Sequence, residues 1–189
     1  RQLQAVPSLQ GILILDPDNS AYRQARARWP RRMLEQGLRE SAQAAEQAAP
    51  PAYEVWMIDQ SDSSKDGGGT LYIYDGAALA ADAKSAKAET VDLGDKFNEA
   101  CKDAGGGYPK RPHMIFFTKD GKYALLSYVA SGHVAFLDAA SRAPIGCVSL
   151  GKNAHAAWPT ADGKMALGAN IAEKKLVRIW TDYASKKFT

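Results

Sequence analysis

The chain has 189 residues, 46% of them hydrophobic and 24% charged, with 24 Lys and Arg against 21 Asp and Glu. That length holds one compact domain or at most two small ones, and a formal charge of +3 gives no reason to expect a nucleic-acid partner. Two cysteines exclude a disulfide-rich miniprotein and any multi-cysteine zinc or iron–sulfur site. No apolar run approaches the roughly 20 residues of a membrane-spanning helix, so no transmembrane segment is expected.

The chain opens at Arg1 with neither an initiator Met nor a charged-then-apolar leader, which fits a mature exported protein or a piece of a longer one. Ile12–Asp16 (ILILD) reads as a strand. Residues 19–51 read as an Arg/Ala-rich helical insertion: six arginines lie between Arg23 and Arg39, helix formers are dense from Arg31 to Ala49, and Pro50-Pro51 stop the run. Such a segment is either a solvated helical insertion in a propeller loop or a basic partner-binding or membrane-surface helix.

Residues 53–94 read as a loose blade of β-structure. Glu54–Asp59, Leu71–Asp75 and Glu89–Gly94 supply its second, third and fourth strands. Asp62–Gly69 is then an enlarged hairpin loop, and Ala77–Lys87 a helical or unstructured elaboration. Further on, Cys101 and Cys147 either bridge or stay unpaired as small hydrophobes; a bridge belongs to an exported protein. The triple glycine Gly105–Gly107 lacks the pattern of a phosphate loop and reads as a flexible connection.

The second half repeats itself. "HMIFFTKDGKYALLSYV" from His113 aligns with "HAAWPTADGKMALGANI" from His155 at an offset of 42, matching Thr118 to Thr160 and Asp120-Gly121-Lys122 to Asp162-Gly163-Lys164. In the first copy, strands are expected at His113–Thr118, Tyr123–Val129, His133–Asp138 and Pro144–Leu150, with an Asp-Gly hairpin turn after the first. Four antiparallel strands in about 42 residues make the blade of a β-propeller. Residues 111–153 are one blade and 154–189 a partial one, whose fourth strand begins near the last residue. The expected fold is all-β: an incomplete propeller of four-stranded antiparallel blades over residues 1–189, with a helical insertion near the N-terminus.

"RPHMIFFTKDGKYALLSYVASGHVAFLDAASRAPI" and "HAAWPTADGKMALGANIAEKKLVRI" resemble the YVTN-type β-propeller repeats, and more distantly the propeller domains of nitrous-oxide reductase and cytochrome-type nitrite reductase. The good match covers Arg111–Thr189. The resemblance implies a periplasmic or secreted protein. Propellers close with four to eight blades and only two convincing repeats and a loose one are found, so further blades are expected from the rest of the protein or from another chain.

Three histidines carry the candidate chemistry. His113 and His155 share one repeat position at the entry to the innermost strand, where neighbouring blades converge on the channel mouth; His133 opens a third strand. Imidazole suits copper, zinc, iron and nickel, and the "HMIFF" opening resembles the His-Met strand of nitrous-oxide reductase, which implies His113 as a copper ligand. That family's His-X-His cluster has no counterpart, since Arg111-Pro112 precede His113. The metal set expected is therefore His113, His155 and His133, with copper the leading cofactor. Lys110 and Arg111 are placed to attract a small anionic substrate. The alternative for the histidines is structural hydrogen bonding between blades. Asp59, Gln60 and Asp62 are either oxygen ligands or turn formers. The resulting expectation is a metal-dependent oxidoreductase, with a non-catalytic scaffold for protein or cell-surface binding as the alternative.

Overall fold

Strands form where β-branched and aromatic residues run in blocks of six between Gly- and Asp-containing turns. The computed structural model describes residues 52–60 and 68–189, together with Gln36. The chain divides into two units, Arg1–Pro51 and Ala52–Thr189, and all the described strands belong to the second. Ile12–Asp16, nearly all of the Arg-rich stretch 19–51, and most of the Asp62–Gly69 loop lie outside the described residues.

Three antiparallel sheets follow one another along the chain. The first has β1 (Glu54–Asp59), β2 (Thr70–Asp75) and β3 (Ala88–Asp92). The second has β4 (Pro112–Phe117), β5 (Tyr123–Tyr128), β6 (His133–Asp138) and β7 (Pro144–Ser149). The third has β8 (Ala154–Pro159), β9 (Met165–Asn170), β10 (Lys175–Asp182) and β11 (Lys187–Phe188). Each sheet is a meander with sequential neighbours paired. The third sheet does acquire its fourth strand, but only two residues long: Phe188 pairs with Thr181 and Lys187 with Asp182.

The repeat is visible atom by atom. Thr118 Oγ1 donates to Asp120 Oδ1 at 2.7 Å, and Thr160 Oγ1 to Asp162 Oδ1 at 2.6 Å. Lys122 and Lys164 each donate a backbone N–H to the same carboxylate oxygen. Gly121 and Gly163 hold φ of 71° and 67°, the left-handed conformation that an Asp-Gly turn requires of its glycine.

Two apolar cores glue the sheets face to face. Leu71 and Ile73 of the first sheet, with Trp56 and Ile58, pack on Ala124, Leu126, Ala135 and Leu137 of the second. The opposite side of the second sheet, through Leu125, Val134 and Phe136, packs on Ala157, Ala166 and Ile179 of the third. Strand alternation explains this: odd and even positions of β5 and β6 serve different neighbours, so the second sheet is apolar on both faces. Ring pairs fill the gaps, with Trp56 edge-on to Phe117 at 4.9 Å, Tyr123 stacked on Tyr183 at 4.2 Å and Phe136 on Phe188 at 3.9 Å. Trp180 is 54% exposed.

Arg142, in the turn between β6 and β7, reaches across to Glu54 and Glu89 of the first sheet and lies 5.0 Å over the Trp56 ring. Two short helices decorate the first sheet and its exit: α1 (Gly76–Ala81), whose Ala78 N–H is capped by Asp75, and α2 (Asp95–Cys101), followed by a 3-10 turn at Lys102–Ala104. Cys101 and Cys147 are joined, tying α2 to β7. No described helix is long and apolar enough to cross a membrane.

Candidate functional site: a histidine pair on two bulges

The first strands of the second and third sheets, β4 and β8, lie against each other. Each is interrupted at the same repeat position. Pro112 pairs with Tyr128 and Met114 with Ser127, leaving His113 as the extra residue of a bulge. Ala154 pairs with Asn170 and Ala156 with Ala169, leaving His155 likewise. The residues two positions earlier, Arg111 and Asn153, both hold positive φ, 62° and 61°. A bulge removes one residue from the ladder and re-aims its side chain. Here it does so twice, and the two imidazoles meet edge to face with centroids 4.7 Å apart.

The first sheet joins them. Gln60, just beyond β1, brings Nε2 to 2.8 Å from His113 Nδ1. With the amide nitrogen facing the ring, Gln60 donates and the neutral imidazole carries its proton on Nε2. Turned end for end, the amide oxygen accepts from Nδ1–H and bares the Nε2 lone pair. Burial, then the charges of His155 and Arg111, hold His113 below its usual pKa, so it is biased toward the neutral form that a metal requires.

Ser127 braces the pair from behind. Its buried hydroxyl donates to the His155 carbonyl at 2.8 Å, with the Met114 carbonyl at 3.2 Å, so one side chain of β5 touches the backbone of both bulged strands. Asn153 adds a second link between these blades, donating Nδ2–H to the Val129 carbonyl at 2.8 Å. Neither Ser127 nor Asn153 stands out in the sequence; the signal available was their place in the repeat beside His113 and His155.

His133 does not join the pair. It is fully buried, with Nε2 2.6 Å from the Gly105 carbonyl and Nδ1 2.9 Å from Ser131 Oγ, so both ring nitrogens already have partners. Burial holds its pKa down, against the raising effect of the Gly105 carbonyl. The same Ser131 hydroxyl accepts the Lys110 N–H at 2.9 Å. His133 and Ser131 thereby pin the Gly105–Gly107 segment, where all three glycines hold φ near 80°. That segment is an anchored turn. Arg111 is exposed and Lys110 half-buried on the strand-entry side beside His113.

Two imidazoles from adjacent strands fit the nitrogen-donor part of a copper or zinc site. Among the described residues no group of three or more His, Cys, Asp and Glu stands close enough to complete one.

Sequential antiparallel meanders, one of three and two of four strands among the described residues, stacked face to face with β4 and β8 side by side, define a β-propeller-like fold. Comparison with solved structures agrees. The chain resembles the periplasmic gluconolactonase of Pseudomonas aeruginosa (18% identity, TM-score 0.52, covering 71% of this chain and 36% of that one). Weaker likenesses are to hydrazine synthase of Kuenenia stuttgartiensis (15% identity, TM-score 0.49, 68% of this chain and 41% of that one) and to a protein from Lactobacillus plantarum (18% identity, TM-score 0.45, 75% and 42%). The chain thus spans well under half the length of these structures. No family model matches it, and no curated protein does.

Proposed function

We propose that this chain forms part of an exported β-propeller whose His113–His155 pair binds a transition metal, copper first, at the strand-entry mouth. The observation that carries the reading is the double bulge: two blades each spend a ladder position to bring imidazoles within 4.7 Å of one another. Gln60 positions His113 through Nδ1, and further ligands come from blades outside the described residues. A bound copper would supply one-electron redox chemistry. Arg111, beside His113, draws a small anion toward the mouth, and Lys110 stands next to it.

The Cys101–Cys147 disulfide supports a periplasmic or secreted location, because such bonds persist in oxidising compartments. The scaffold reading, in which the propeller binds another protein and does no chemistry, is favoured by a different feature, the exposed Leu176 and Trp180 of the third sheet. Calorimetric titration of the purified chain with copper and zinc tests the metal reading. Saturable binding that is lost in both His113→Ala and His155→Ala supports it. Binding that survives both substitutions removes it.

A further inference from the structure

The third blade departs from the second at one place that neither the histidine pair nor the disulfide uses. β6 is six residues long and ends at Asp138, whereas β10 is eight residues long and ends at Asp182. The two blades stay in step beside their Asp-Gly turns: Ala139 N–H donates to the Lys122 carbonyl, and Thr181 N–H, 42 positions on, donates to that of Lys164. Each strand is closed by an aspartate that accepts a serine N–H, Asp138 from Ser141 and Asp182 from Ser185. The residue after that aspartate is Ala139 in the second blade and Tyr183 in the third. The ring so placed stacks on Tyr123 of the second blade, with centroids 4.2 Å apart and planes 14° from parallel.

The stacked rings wall a cavity of about 480 Å³ between the two Asp-Gly turns, at the other end of β4 and β8 from the histidines. That volume is in the range of small-molecule sites. Asp120, Asp162, Lys119 and Ala161 share in its lining. Two features of the cavity are not accounted for by packing. Tyr183 Oη is shielded from solvent, and no described group lies in hydrogen-bond geometry to it; buried hydroxyls of this kind normally have a partner. The turns also use only Oδ1 of each aspartate, for a threonine hydroxyl and a lysine N–H, which leaves Oδ2 as a further acceptor.

Charge decides the class of ligand. Lys122 Nζ stands 3.8 Å from Asp120 Oδ2, the Lys164 charge bears on Asp162, and Lys119 lines the cavity. Three ammonium groups around two carboxylates offer a cation no net attraction. A polyol suits the lining better, because each hydroxyl both donates and accepts. Its O–H groups donate to the Oδ2 atoms and accept from Tyr183 and Lys119, while its C–H surface rests on the tyrosine rings and Ala161. We propose that this cavity binds a neutral carbohydrate, a mono- or disaccharide, between the second and third blades.

Calorimetric titration of the chain with maltose, cellobiose and chitobiose tests this. Saturable binding of at least one sugar at millimolar concentration is expected. Tyr183→Phe keeps the ring stack and removes only the hydroxyl, and should weaken binding about 2–10-fold. Asp162→Asn keeps the Oδ1 acceptor that holds its turn and replaces Oδ2 by a donor, and should weaken binding about 10–100-fold. Far-UV circular dichroism should be unchanged in both, and His113→Ala should bind the sugar as the wild type does. A wild-type chain that takes up none of the three sugars overturns the proposal. So does sugar binding that survives both cavity substitutions, or binding of propylammonium in place of the sugars.

Discussion

The rings of His113 and His155 stand edge to face, 4.7 Å between centroids, each projected from a bulge at the same position of successive blades. Two structural histidines satisfied within their own blades would not need this arrangement. His133 shows the contrast, since it keeps its place in the ladder opposite Ser149 and spends both nitrogens on a serine and a backbone carbonyl.

In the proposed metal site, Gln60 would act through His113. Partners on the far nitrogen of a ligating imidazole orient the ring and set its tautomer, and their loss costs roughly 10–100-fold in affinity. Gln60→Ala should weaken metal binding by that order, whereas Gln60→Glu, a stronger acceptor for Nδ1–H, should restore or raise it. The two dissociation constants, measured by the same titration, check this.

Ser127→Ala removes the only described side-chain hydroxyl between the carbonyls of Met114 and His155. Leaving a buried carbonyl without its donor costs about 1–3 kcal/mol. Urea denaturation should show a loss in that range with an unchanged m-value.

Stability should fall with pH in a window set by histidine. Both His113 and His133 have pKa values held below 6.5 in the folded chain, mainly by burial. The unfolded chain therefore binds more protons than the folded one below that value. The contribution is complete above pH 6.5 and is lost as pH falls through the folded values. The turn carboxylates of Asp120 and Asp162, lowered from 3.8, add a separate loss only in more acid solution. Melting temperatures recorded between about pH 7 and 4.5 should decline in the wild type and flatten in the His113→Asn, His133→Asn double variant.

Reduction should loosen α2 from β7. A bond closing a loop between positions 46 apart is worth about 4 kcal/mol in the chain-entropy model. Cys101→Ser with Cys147→Ser should lower stability by up to that amount, and added reductant should do the same to the wild type. The comparison of melting curves with and without reductant checks both.

Much of this was legible in the sequence. The 42-residue echo places the strands of the second and third blades up to β10, and Asp-Gly turns mark their first hairpins; the short β11 forms where the sequence shows only the start of a fourth strand. The echo also identifies His113 and His155 as equivalents. It says nothing of the bulges, because an extra residue in a ladder is a property of pairing. Nor does it show that His133 turns toward Gly105, since a hydrogen bond across 28 residues depends on how the Cys101-to-Pro112 connection folds back.

Electron paramagnetic resonance of the copper(II)-loaded chain tests the central claim most directly. The account predicts nitrogen superhyperfine structure from two imidazoles, lost together with the bound copper in His113→Ala and in His155→Ala, and unchanged in His133→Asn. A spectrum unaltered by the first two substitutions, or abolished by the third while the fold persists, would contradict it.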